Sequence, residues 1–297
     1  MKDSTPSISS GHPCYDEKAH FRVGRIHLPV APRCNIKCRY CTRSLESDEE
    51  RPGVSYGILS PRQALEAVKR VISEDESIRV IAVAGPGDPL ANQETLETLR
   101  LVHREFPHLM KCLATNGLLL PSVVSDLASV GVTHITVTVN AVDKEVGKRF
   151  YSWANLEGKI YREDAFDILS PRQLQGIRMA SERGMRVKVN TVLVSELNLN
   201  HLPEVARKIK EHGAGIMNIM PLIPLGEMSH FRSPTCSEIR EARGKCEAIM
   251  EVFRLCKHCR ADAVGIPGRE GGNGPLLGRL GPCLGPSLTC TTHMLTS

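Results

Sequence analysis

From Ser60 onward, short β-branched runs alternate with amphipathic, charged stretches. That rhythm restricts the chain more than any other feature, because it is the pattern of repeated βα units around a parallel sheet. Strands are predicted at 79–84, 111–115, 133–140, 185–194 and 215–222, each apolar-rich and bounded by Gly, Asn or Pro. Helices are predicted between them at 63–73, 92–106, 121–130, 171–183 and 201–212, with Pro, Ser or Asn at several first turns. Each crossover is long enough for a helix, and the strands are apolar on both faces. The expected fold is therefore an α/β barrel, partial or closed, with its mouth capped by N- and C-terminal extensions. The expected divisions are an N-terminal segment 1–22, the barrel 23–265, and a Gly/Pro-rich tail 266–297 that holds no packed element and is expected to be mobile.

Composition narrows the classes of function. With 41% hydrophobic and 24% charged positions among 297 residues, the chain can bury a core. The balance of 38 Lys+Arg against 33 Asp+Glu is mild and spread out, which gives nucleic-acid binding little support. No apolar run approaches the roughly 18 residues of a spanning helix, and the polar first fourteen residues carry no secretion signal, so a cytoplasmic protein without a membrane partner is expected. In a reducing compartment, eleven cysteines point to metal or redox chemistry rather than disulfides.

Three of them, in Cys34-Asn-Ile-Lys-Cys38-Arg-Tyr-Cys41, follow an apolar segment at 26–31. Three thiolates at this spacing bind three irons of a [4Fe–4S] cube and leave the fourth iron open to an outside ligand. Zinc or unligated thiols are the competing readings, but zinc sites favour four ligands in CxxC pairs. The CxxxCxxC with an aromatic before its last Cys resembles the radical S-adenosylmethionine (SAM) superfamily, in which the open iron chelates SAM and an electron from the cluster cleaves it. The resemblance implies a radical SAM TIM-barrel-like fold. It also makes Ala84-Gly-Pro-Gly-Asp-Pro89 the glycine-rich SAM loop, with Gly85, Gly87 and Asp88 at the ligand. Tyr40 becomes an adenine neighbour, and Asn140, Asn190 and Met220 further SAM residues at the barrel mouth. For each Asn alone, satisfying loop backbone is an equally good reading.

Further strings are more specific. Cys256-Lys-His-Cys259-Arg-Ala-Asp-Ala-Val-Gly265 is long and peculiar, and it follows a predicted helix at 238–255. With His12-Pro-Cys14, Gly24-Arg-Ile-His27, Pro29-Val-Ala-Pro32, Arg51-Pro-Gly53, Cys112-Leu-Ala-Thr-Asn-Gly117 and Asn218-Ile-Met-Pro-Leu-Ile223, it closely resembles the NifB family of nitrogenase cofactor biosynthesis proteins, in a short form without a carrier-type domain. The resemblance implies up to three [4Fe–4S] clusters. Besides the SAM cluster on Cys34, Cys38 and Cys41 there are two others, K1 and K2, fused around a carbide with an added sulfur. Cys14, Cys256 and Cys259 match K2 ligands, and His27 and Cys112 match two K1 ligands. Outside the resemblance, His27 reads as a buried strand histidine and Cys112 as a small core residue. The implied partners are SAM, an iron–sulfur donor, cofactor-carrier or scaffold proteins and a low-potential electron donor.

One departure stands out. The family carries a further K1 cysteine shortly after the CxxxCxxC, whereas residues 42–51 contain none. Ser47 or Glu46 occupies the place, depending on the direction of counting. A carboxylate from Glu46, Asp48 or Glu49 is the expected replacement, because iron accepts carboxylate oxygen; a labile K1 or a diverged enzyme are the alternatives. Cys236 and Cys246 read as surface or packing thiols, and Cys283 and Cys290 as tail thiols. Two rivals remain open. One is a radical SAM enzyme whose auxiliary cluster serves an organic or peptide substrate; the other is a non-enzymatic iron–sulfur carrier, which has no use for a SAM loop.

Overall fold

The computed structural model describes residues 11–272 and 274–276. Most of the predicted tail, with Cys283 and Cys290, lies outside the described residues. Among the described residues, the main sheet has nine strands. Gly24–His27, Ile78–Val83, Met110–Thr115, Val132–Thr138, Arg186–Leu193, Ile216–Pro221 and Glu251–Val252 lie side by side in chain order, every neighbouring pair parallel. Ala263–Gly265 returns antiparallel beside Gly24–His27, and Gly274–Pro275 pairs with it in turn. The two ends of the sheet do not meet, so of the two expected forms the partial barrel is the one found.

Helices cover one face of the sheet. Pro61–Glu74 starts at Ser60 in a reciprocal capping box with Gln63, and Cys236–Glu247 starts in the same way from Thr235 and Glu238. Gln93–Glu105, Leu120–Ser129 and Leu202–Glu211 fall close to their predicted spans. Apolar residues from the sheet and these helices form one continuous core.

Three segments depart from expectation. The helix predicted at 171–183 runs Ala165–Glu182 and carries Pro171 inside it rather than at its start. The helix predicted at 238–255 stops at Glu247, because Met250, Val252 and Phe253 bury their side chains and Glu251–Val252 adds a strand beside Ile216–Met217. An unpredicted hairpin, Tyr151–Leu156 with Lys159–Tyr161, turns through Glu157 and Gly158, both at positive φ. It pairs antiparallel with a short strand, Ile36–Cys38, inside the cysteine loop. Among the described residues, no helix is long and apolar enough to cross a membrane.

Candidate metal and cofactor site

A cavity of about 330 Å³ opens at the carboxyl ends of the parallel strands, where ligands of parallel α/β sheets bind. One wall is the cysteine loop, held from three sides. The hairpin clips its backbone: Arg39 N donates to the Phe150 carbonyl (2.9 Å) and Asn155 N to that of Asn35 (2.7 Å). Glu227 N donates to the Arg39 carbonyl (2.7 Å), and the Asn116 amide donates to Asn35 Oδ1 (2.7 Å). Cys34, Cys38 and Cys41 all line the cavity. Burial pushes their thiols up, Cys34 to about 12, with nearby Asp88 adding to that shift and the thiols of Cys41 and Cys34 to that of Cys38. The fold alone thus disfavours the thiolates, and an iron core that brings positive charge reverses this, so the donor set suits a cluster.

The glycine-rich loop is bound to the segment leading into Cys34. Gly87 N donates to the Ala31 carbonyl (2.7 Å) and Asp88 N to that of Arg33 (2.9 Å). A Cβ at Gly87 would stand 2.2 Å from the Arg33 oxygen, so glycine is required for this approach. Asp88 is buried and accepts from Asn116 N (2.6 Å), Thr115 Oγ1 (2.9 Å) and Leu90 N (2.9 Å). Burial pushes its carboxyl up against these bonds. Gly87, Asp88, Tyr40, Asn190 and Met220 line the cavity. Gly85 and Asn140 do not. Gly85 turns at positive φ against Ala261. Asn140 is fully buried behind the wall; its amide donates to Tyr40 Oη (3.0 Å) and Tyr151 Oη (3.3 Å), and its oxygen accepts from Val192 N (2.9 Å).

The other ligands expected from the sequence, Cys14, His27, Cys112, Cys256 and Cys259, line the same cavity. His258, between the last two cysteines, adopts the left-handed backbone region, and it too reaches the wall. The N-terminal segment is fixed by Tyr15, whose hydroxyl bonds Thr136 (3.1 Å), and by Lys188, which donates to the Cys14 carbonyl (3.0 Å). Burial pushes the Cys14 and Cys112 thiols up. His27 is buried, and burial first, then Arg25, lowers its imidazole to about 3. Its Nδ1 lies 2.8 Å from the Arg260 carbonyl. A carbonyl only accepts, so Nδ1 carries the proton and Nε2 keeps its lone pair, the state a metal ligand needs.

Two cations that the sequence reading missed stand beside this second set. Arg25, 1% exposed, donates to Cys259 Sγ (3.1 Å) and to the Gly265 carbonyl (2.7 Å). Lys188 is buried over the Tyr15 and Phe253 rings. The available signal was a lysine inside the strand predicted at 185–194 and an arginine at the edge of the apolar segment 26–31.

The acidic loop is not brought to the cavity. Glu46, Asp48 and Glu49 are exposed, and Glu49 pairs with Arg51, which does line the wall. Arg260, 2% exposed, pairs with the fully buried Asp262 (2.8 Å) and donates to the carbonyls of Ser47 (2.7 Å) and Glu49 (2.9 Å), so the loop is held by its backbone. Cys246 is packed in the core and Cys236 is exposed, as expected.

Comparison with known proteins bears on this arrangement. The model of the Radical SAM superfamily matches residues 28–209. A FeMo cofactor biosynthesis protein NifB from Methanocaldococcus infernus is 46% identical over 262 residues, covering 87% of this chain and 86% of that protein. The Klebsiella pneumoniae protein of the same name is 41% identical over 90% of this chain, which spans 59% of that protein's length. Among solved structures, Streptococcus suis SuiB superposes with a TM-score of 0.57 at 12% identity, over 77% of this chain and 48% of that one. Methylornithine synthase (PylB) does so at 0.53 and 13%, over 79% and 65%. These two likenesses concern the fold.

Proposed function

The chain belongs to the NifB family of the radical SAM superfamily, and from that premise we propose that it fuses two [4Fe–4S] clusters, with a SAM-derived carbide and an extra sulfur, into the [8Fe–9S–C] precursor of the nitrogenase cofactor. The observation that carries this is the shared cavity: the three sulfurs of the 34–41 loop and a second ligand set drawn from residues 14 to 259 line one chamber.

In this proposal Cys34, Cys38 and Cys41 hold the resident cluster, which when bound supplies the electron that cleaves SAM. K1 and K2 are substrates, K2 on Cys14, Cys256 and Cys259, and K1 on His27 and Cys112. One SAM gives a methyl group to a sulfide of K2 and a second gives the radical that takes hydrogen from it, so the activity is of transferase and lyase type. The protein's work is positional. Gly87 brings backbone to the SAM amino group, and Asp88 fixes the 115–116 turn against the cysteine loop. Tyr40, oriented by Asn140, flanks adenine, and Asn190 and Met220 complete the pocket. Arg25 and Lys188 offset the negative charge of a thiolate-bound cluster. Nitrogenase-assembly proteins that donate clusters or carry the product, and a low-potential electron donor, are its partners, in the cytoplasm.

A second reading keeps the SAM chemistry and one auxiliary cluster but acts on an organic or peptide substrate. The absent cysteine in 42–51 and the outward acidic side chains favour it. Iron and sulfide per chain after anaerobic reconstitution, with EPR before and after SAM, separate the two. About twelve irons support fusion, because three four-iron clusters are then held; about eight support the second reading.

A further inference from the structure

The cavity presents two buried imidazoles in opposite protonation patterns. His27 turns Nδ1 to a carbonyl, so its Nε2 is bare. His12, 2% exposed and also lining the cavity, turns Nδ1 to a donor instead: the backbone N–H of Cys14 points at it from 3.1 Å. A neutral imidazole that accepts at Nδ1 carries its proton at Nε2. The ring is fixed, with Tyr15 edge-on at 4.7 Å and His134 tilted against it at 4.5 Å between centroids. His12 Nε2 is buried and has no hydrogen-bond partner among the described residues.

A buried N–H without an acceptor is costly, and native folds keep few of them. His134 Nε2 is also without a partner, but that ring does not line the cavity. Two residues along the chain from His12, Cys14 lines the same cavity. The missing acceptor is therefore supplied by what the cavity holds. Sulfide and thiolate sulfurs are acceptors, and a hydrogen bond to a cluster sulfur draws charge off it and raises its reduction potential.

We propose that His12 is a positioning residue whose Nε2–H donates to a sulfur of the auxiliary cluster held by Cys14, Cys256 and Cys259. It rests on the cluster-fusion reading above. The two histidines then act in complementary ways, His27 giving an electron pair to iron and His12 a proton-bearing edge to sulfur. The bond fixes how the cluster sits on its three cysteines and makes it easier to reduce.

The test uses the reconstituted full chain and three proteins: wild type, His12→Phe, which keeps a ring and removes the donor, and His12→Gln, which returns an N–H near Nε2. EPR-monitored redox titration should give a lower midpoint potential for the auxiliary cluster in the Phe variant and a return toward wild type in the Gln variant, with the SAM-perturbed signal unmoved in both. Pulsed EPR after exchange into D2O should show, in the wild type, a deuteron coupled to the auxiliary cluster besides those of the Arg25 guanidinium on Cys259 Sγ, and that coupling should be lost in the Phe variant and regained in the Gln variant. Unchanged potentials in the Phe variant, equal shifts in both variants, or the same deuteron coupling in wild type and Phe variant overturns the assignment while leaving cluster fusion intact. A wild type that takes up no auxiliary cluster overturns both.

Discussion

Gly87→Ala examines the closest backbone contact in the site. The new Cβ would stand 2.2 Å from the Arg33 oxygen, 2.5 Å from its carbonyl carbon and 2.8 Å from the Pro32 oxygen, where ordinary contact begins at 3.4 Å. These are backbone atoms, so relief takes a main-chain shift of about 1.2 Å. A shift of that size breaks the bonds from Gly87 N to Ala31 (2.7 Å) and Asp88 N to Arg33 (2.9 Å), which have little room to stretch. Two hydrogen bonds at about 0.5–1.5 kcal/mol each, with an overpacking cost of about 1–3 kcal/mol, give a loss of roughly 2–6 kcal/mol. Urea unfolding of the metal-free protein measures it, and calorimetry with SAM on the reconstituted protein should show affinity falling with it. Gly244→Ala is the control: it lies in the Cys236–Glu247 helix with open space around it, and should gain about 0.5–1 kcal/mol. A loss under about 0.5 kcal/mol at Gly87, or normal SAM binding, refutes the close-approach reasoning.

Two other outcomes follow from the same geometry. Alanine at Glu46, Asp48 or Glu49 leaves iron loading unchanged, because these carboxylates face solvent; a drop of about four irons in any of them would make that side chain a ligand. Below pH 6.5 the metal-free protein loses stability as pH falls. An unfolded histidine takes its proton near 6.5, whereas burial delays His134 to about 4 and His27 to about 3, so the unfolded state binds more protons across that window and the stability is fully present only above it. His134 alone contributes on the order of 3 kcal/mol. Melting temperatures that stay flat from about pH 7 to 5 would contradict this, and His134→Phe should flatten part of the slope.

The parallel strands were legible because β-branched runs between Gly, Asn and Pro have few other uses, and the cysteines that line the cavity were legible because their spacing is so unusual. The hairpin at 151–161 escaped because its first strand buries every third residue rather than alternating and its second buries none, so no period-two pattern marks it. Pro171 misled because proline favours a helix start, and here the Ala165–Glu182 helix tolerates it inside. Asn140 shows the limit at the site: its position at the end of a strand could be read, but which way its amide turns depends on Tyr40, Tyr151 and Val192, far apart in the chain. The orphan proton of His12 was equally out of reach, since it depends on which backbone group faces Nδ1.

The two proposed ligand sets differ in how far along the chain they reach, and this orders their formation in time. Cys34, Cys38 and Cys41 lie within eight residues on a loop, so they close almost no chain and can meet iron while synthesis is under way. Cys14 meets Cys256 and Cys259 only after the intervening strands have stacked, and no ribosome-bound chain shorter than that can offer the site. Under the proposed cluster assignments the chamber therefore acquires its tool before its workpieces, and a stalled or nicked chain has no place to gather the second set of metal.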